Sequence, residues 1–160
     1  MRASFKSIRF GIMVGIGGGV TGAEDIRLGD VVVSQPQATH GGVVQYDSGK
    51  ETPSGFQRTG SLDSPPRILL SAVTKVRANE LRGRSTLSRH LSSLDCNTRF
   101  SREKAGPEIL FHADYDHIRG HTCDSCDPSR RSNREPRGRK EDVAVHYGTI
   151  ASGNKVMRRS

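Results

Sequence analysis

The sequence contains no tryptophan, and Phe and Tyr together make up only 5% of it. A chain this poor in large rings buries a thin core at best. Its three cysteines are an odd number, which does not suit the paired framework of a small secreted domain and fits a reducing compartment instead. No apolar run approaches the roughly 20 residues needed to cross a bilayer, and the mean hydropathy is −0.59. A membrane-spanning protein is therefore excluded. No Gly-Lys-Ser/Thr follows the glycine-rich stretch near the start, so there is no P-loop. Val20 stands where the last glycine of a dinucleotide fingerprint belongs. No Ser-His-Asp set, paired carboxylates, His-Glu-x-x-His or internal repeat is visible.

What is present is one domain's worth of chain. Its 160 residues are 32% apolar and include 18 glycines. Twenty-five Lys and Arg against 17 Asp and Glu leave a net charge of +8, which favours anionic partners such as nucleotides, phosphate or nucleic acid without choosing among them.

Near the start, Arg2, Lys6 and Arg9 precede an apolar run over 10–20, the outline of a secretory signal. Glycines at 11, 15, 17, 18 and 19 weaken any helix there, so the run reads instead as a buried strand over 10–16 ending in a glycine loop. The chain is accordingly read as cytoplasmic. Valine-rich stretches bounded by Gly, Pro, Asp or Ser predict further strands over 30–34, 42–46 and 143–151. Ser64 as cap, Pro65 and Pro66 at the start, and Ile68, Leu69, Ala72, Val73 and Val76 at helical spacing predict a helix running to Leu81. Leu87, Leu91 and Leu94 predict a shorter helix over 85–94 that packs on the first. The stretch 129–140 has no apolar residue, and its six basic residues face only Glu135. It reads as part of a mobile, basic surface insert over about 112–142. That insert lacks the interleaved aromatics of a nucleic-acid platform, so nucleic acid is not the expected partner.

Two clusters carry chemistry. Gly17, Gly18 and Gly19, after an apolar stretch, let backbone N–H groups approach a phosphate, ribose or base; the bland alternative is a tight turn with no ligand. His117, His121, Cys123 and Cys126 supply four nitrogen and sulfur donors within ten residues, enough for a tetrahedral structural zinc; the alternative is a pair of unligated thiols in a loop. A redox role for the Cys-x-x-Cys pair is disfavoured because no strand feeds a helix opening at Cys123. His40 and His146 stand alone and read as hydrogen-bonded structural histidines.

The segments FGIMVGIGGGV (10–20), DIRLGDVVVSQPQATHGGVVQYDSGK (25–50) and VHYGTIASGNKVM (145–157) together resemble the nucleoside phosphorylase superfamily. That superfamily includes purine and uridine phosphorylases and the methylthioadenosine/S-adenosylhomocysteine nucleosidases. The likeness is greatest to fungal versions fronting proteins with ankyrin repeats or NACHT modules, in which the ADYDHIRGHTCDSCD stretch also has a counterpart. It implies a truncated three-layer α/β/α fold with a mixed sheet, a purine nucleoside as ligand, phosphate as candidate co-substrate, no organic cofactor, and homo-oligomers. The reaction implied is cleavage of the N-glycosidic bond: an acid protonates the leaving base while phosphate or water attacks the sugar. Gly17, Gly18 and Gly19 would lie along ribose and base, and Val156 and Met157 would cover the base. Val44 and Tyr46 match a segment that relatives lend to a neighbouring subunit. Ile16 departs from the hydroxyl residue common at its place and can hold neither phosphate nor water. Asp25, Asp30, Asp114, Asp116 and Asp142 do not occupy the family's catalytic motif. Its Met-Glu ribose clamp and general-acid Asp would fall past Ser160, and its opening strands before Met1. The chain is thus read as 1–160 of a partial domain with little turnover alone, the alternative being a degenerate nucleoside-sensing or interaction module of a larger signalling protein.

Overall fold

In a computed structural model of the chain, the described residues are 6–20, 22, 24–94, 104, 106–118, 122–137 and 143–154. Among these residues, six short strands, two α-helices and a 3-10 turn follow one another: β1 Val31–Ser34, β2 Val43–Gln45, β3 Gly49–Thr52, β4 Gly55–Arg58, α1 Arg67–Leu81, α2 Leu87–Ser92, the turn Pro128–Arg130, β5 Val145–Gly148 and β6 Ile150–Ser152.

The strands form three two-stranded sheets. β1 pairs parallel with β5, Val31 opposite Val145 and Ser34 opposite Gly148, and β2 pairs parallel with β6, Val43 opposite Ile150. These are successive pieces of one ribbon. The ladder reaches Gln35 N–H on Gly148 O at 2.9 Å and resumes with Ile150 N–H on Gly42 O at 2.9 Å. Residues 35–42 therefore bulge out opposite the single Thr149, which is why the stretch predicted as one strand over 143–151 is two. Within the excursion Gln37 and His40 bond to each other across a tight turn in which Ala38 takes φ 46. At its end Gly42 has φ 99, and a Cβ there would stand 2.5 Å from Ser34 Oγ, so only glycine closes the loop.

β3 and β4 make an antiparallel hairpin around Pro53 and Ser54, Thr52 opposite Gly55, which takes φ 109. Thr52 Oγ1–H donates to Gly55 O at 2.6 Å and ties the turn. The sequence does not predict these strands, because GKET and GFQR carry polar residues on both faces; Thr-Pro-Ser-Gly is the local turn signal.

α1 begins at Arg67, with Pro66 in the cap position and extended at ψ 140, and without a side-chain cap. Ser64 does not cap it. A residue preceding proline is pushed out of helical space, so the helix waits until both prolines are past. It ends where Gly83, at φ 67, donates its N–H to Glu80 O. Arg77 lies 5.3 Å over the Tyr147 ring and Tyr147 O–H reaches Glu80 at 3.4 Å, which docks α1 on β5. α2, shorter than expected, makes no extended close approach to α1.

The stretch 10–16 forms no strand; it runs unpaired and exposed, with Met13, Val14 and Ile16 almost wholly in solvent. A buried strand needs ladder partners on its flanks, and no described segment supplies them. Among the described residues Cys126, 4% exposed, is the one buried apolar side chain. No helix among them is long and apolar enough to cross a membrane.

Candidate functional site

The glycine segment is open backbone. A Cβ at Gly17 or Gly18 would meet nothing within 4 Å, and one at Gly19 would come 2.8 Å from Ile26 Cγ2. The amides of 17–18 are thus accessible, and they do not line the cleft of about 300 Å³ between residues 39–48 and 58–62, whose walls include His40, Val44, Gln45 and Arg58. Arg58 Nη2 lies 3.4 Å from His40 Nδ1 in that cleft. Val156 and Met157 lie outside the described residues.

The ribbon nevertheless brings the later resemblance segments together. Gly153 packs so closely on Tyr46 that a Cβ would come 2.5 Å from the ring, and Asn154 N–H donates to Asp47 Oδ2 at 2.5 Å. The ASGN turn is thereby held on the end of β2, at residues 46–47.

Among the described residues the most heavily bonded side chain is that of Asp30, directly before β1. Its side chain has 0% exposure and receives Arg137 in bidentate fashion at 2.7 and 2.8 Å. Arg27 N–H donates to it at 2.7 Å and Ala144 N–H at 3.0 Å, and His146 Nε2 stands 2.9 Å away. Burial opposes its charge, but these donors outweigh burial and hold the carboxyl well below the usual carboxylate range. The other nitrogen of His146 is 2.6 Å from Glu24, so both ring nitrogens face carboxylates. Burial disfavours the imidazolium, and Asp30 and Glu24 overcome it, raising the His146 pKa. Around this hub Arg27 bonds Asp25 at 2.7 Å and Glu135 O at 2.6 Å. Arg134 lies 3.5 Å from both Asp25 and Glu108. Arg137 also reaches Asp25 O.

The arm 131–137 is therefore anchored. The reading of 129–140 as a mobile insert does not anticipate this, because Asp30, the main partner carboxylate, lies 107 residues from Arg137 in sequence and even Glu108 is far outside the local window of Arg134. Residues 138–140 lie outside the described set. The hub was missed by sequence reasoning for the same reason; the one local sign was an Asp between glycine and a valine strand. His146, read as a hydrogen-bonded structural histidine, is bonded in that sense.

Three of the four expected metal donors converge. The ligand atoms of His117, Cys123 and Cys126 all lie within 4.8 Å of one another, with Cys123 Sγ 3.6 Å from His117 Nε2. His121 lies outside the described residues.

Among known proteins, the chain is similar to a stretch of a nucleotide-binding leucine-rich repeat (NLR)-like protein from Hyaloscypha variabilis, at 38% identity over 167 residues. The match takes in 99% of the chain but spans only 16% of that protein's length. No protein-family profile matches the chain, and no solved structure does.

Proposed function

We propose that the chain is a nucleoside-binding segment of the nucleoside phosphorylase type, serving recognition within a protein of NLR-like architecture. The observation that carries this reading is the parallel pairing of β1 with β5, which joins the LGDVVVS and VHYGTIASGN segments on which the resemblance stands. Parallel neighbours so far apart in sequence require a crossover connection, the habit of α/β folds that hold ligands at strand ends. The similarity to an NLR-like protein along nearly the whole chain supports the setting.

Recognition is favoured over cleavage by the state of four of the aspartates. Protonating a leaving purine calls for a carboxyl whose pKa is raised toward neutrality. Asp30, Asp25, Asp114 and Asp127 are instead all held below the ordinary value, Asp25 first by the hydrogen bond from Arg27, Asp114 first by that from Arg130, and Asp127 by the Ser129 N–H. These four carboxyls are shifted in the direction opposite to the one a proton donor needs. Arg134 and Arg137 are engaged by carboxylates, which argues against the basic arm as a nucleic-acid surface.

Calorimetric titration of adenosine, inosine and methylthioadenosine, with and without phosphate, tests the reading when base release is followed in parallel. Saturable binding that weakens in Gly18→Val, without released base, is the expected outcome. A folded chain that takes up none of the three nucleosides would refute nucleoside recognition, and rapid base release would refute the non-catalytic assignment.

A further inference from the structure

We infer that His117, Cys123 and Cys126 bind zinc and close a small clasp above a neck formed by residues 110–112 and 130–132. The geometry begins at the neck of this loop. Phe111 and Arg131 bridge as in an antiparallel pair, with Ser132 N–H on Leu110 O at 2.8 Å and His112 N–H on Arg130 O at 3.0 Å. Above the neck Phe111 stacks on Tyr115 at 5.1 Å, and Tyr115 O–H accepts the Asp127 N–H at 2.8 Å. These contacts place 117 and 123–126 side by side at the apex, where Cys126 N–H closes a turn onto Cys123 O at 3.1 Å.

Zinc bonds of about 2.3 Å to sulfur and about 2.0–2.1 Å to nitrogen, meeting at a tetrahedral angle, put the two donors about 3.6 Å apart. Cys123 Sγ and His117 Nε2 are separated by 3.6 Å. Cys126 closes the triangle, with every pair of donor atoms inside 4.8 Å. Two thiolates and an imidazole suit zinc rather than the hard cations that prefer oxygen, and the fourth corner takes water or one further donor.

Burial points the same way. In a chain whose described residues keep nearly every apolar side chain partly exposed, the one that is buried is a cysteine, flanked in sequence by Ser125 and Asp127. A loop of this size has no hydrophobic core of its own, and a metal is one of the few devices that can close it. The clasp also has a consequence for the hub: its C-terminal leg continues directly into Arg134 and Arg137, so a closed clasp delivers these two guanidiniums to Asp25 and Asp30.

Zinc content of the purified full chain and titration of the metal-free chain with cobalt(II) test this. The expected result is one zinc per chain and a tetrahedral cobalt spectrum with a thiolate charge-transfer band. Cys123→Ser and Cys126→Ser should each weaken binding by about tenfold or more; His117→Ala should weaken it but keep the thiolate band, and His40→Ala should leave it unchanged. Should the cysteine variants not fold, alkylation of the wild-type chain gives an independent readout. Zinc should then shield Cys123 and Cys126 from reagent, identified by mass spectrometry. A folded wild-type chain with negligible zinc and no cobalt spectrum, or thiols alkylated equally with and without zinc, would overturn the proposal.

Discussion

Arg137 grips Asp30 through two parallel hydrogen bonds of 2.7 and 2.8 Å across 107 residues of chain. The pair sits at the mouth of β1, where the same carboxylate also takes the N–H of Ala144 just before β5. One side chain thus fixes the arm 131–137, the start of β1 and the approach to its parallel partner. A bidentate guanidinium pair is directional as well as strong, which is what sets register between two parallel strands with no turn between them.

Asp30→Asn keeps the shape and removes the charge. Arg137 then loses its bidentate partner, and the variant should be destabilised by about 3 kcal/mol, the lower end for removing one member of an enclosed ion pair because Arg137 retains some water contact. A urea midpoint checks the size. Trypsin should also cut after Arg134 and Arg137 faster than in the parent chain, since their side chains are released from Asp25 and Asp30; an unchanged digestion pattern would argue that the arm is held by other contacts.

The same hub sets a pH dependence. The His146 pKa is raised in the folded chain, so its contribution to stability is fully present below the ordinary histidine value of about 6.5 and is lost as pH rises through the folded value. The Asp30 pKa is lowered, so its contribution is present above about 3.9 and is lost only as pH falls through the depressed folded value. Stability owed to the hub should therefore peak between about pH 4 and 6.5 and decline as pH rises above that range, through the raised folded value of His146. Thermal melts across this range test it, and His146→Gln should flatten the alkaline side.

Gly153→Ala and Gly18→Ala should differ sharply. A methyl at 153 would come 2.5 Å from the Tyr46 ring, whereas at 18 it meets open space. The first should cost about 1–3 kcal/mol by overpacking, and the second should stay within about 0.5 kcal/mol. Paired denaturation curves decide it.

The exposed run 10–20 should govern self-association. Val14 and Ile16 stand almost fully in solvent, so Val14→Asp with Ile16→Asp should leave stability within about 0.5 kcal/mol while reducing concentration-dependent sedimentation. Loss of folding in this double variant would mean that the run is covered after all.

Local pattern made β1 and β2 readable from their valines to within about one residue, and α1 from its apolar spacing, because each reports backbone preference over a few neighbours. The start of α1 lies at Arg67 and not behind Ser64, because the prolines' steric veto outweighs a serine's capacity to cap. The hairpin β3–β4 was hidden by strands polar on both faces. The grouping of His117, Cys123 and Cys126 is legible because they are close in sequence, while the Asp30 hub joins groups from 24–30, 108, 134–137 and 144–146, and no short-range pattern encodes that meeting.

What the sequence by itself determined is therefore local: where valines favour strand, where helical spacing starts a helix, where glycine alone can turn, and which donors sit near one another along the chain. Only the tertiary structure decided that β1 runs beside β5, that 143–151 breaks at Thr149, that Arg134 and Arg137 are spent on Asp25, Glu108 and the enclosed carboxylate of Asp30, and that 10–16 finds no sheet. The physical reason is reach. Propensity acts within a few bonds, whereas an ion pair or a ladder rung depends on which distant segment arrives opposite, and that is settled by the whole chain at once.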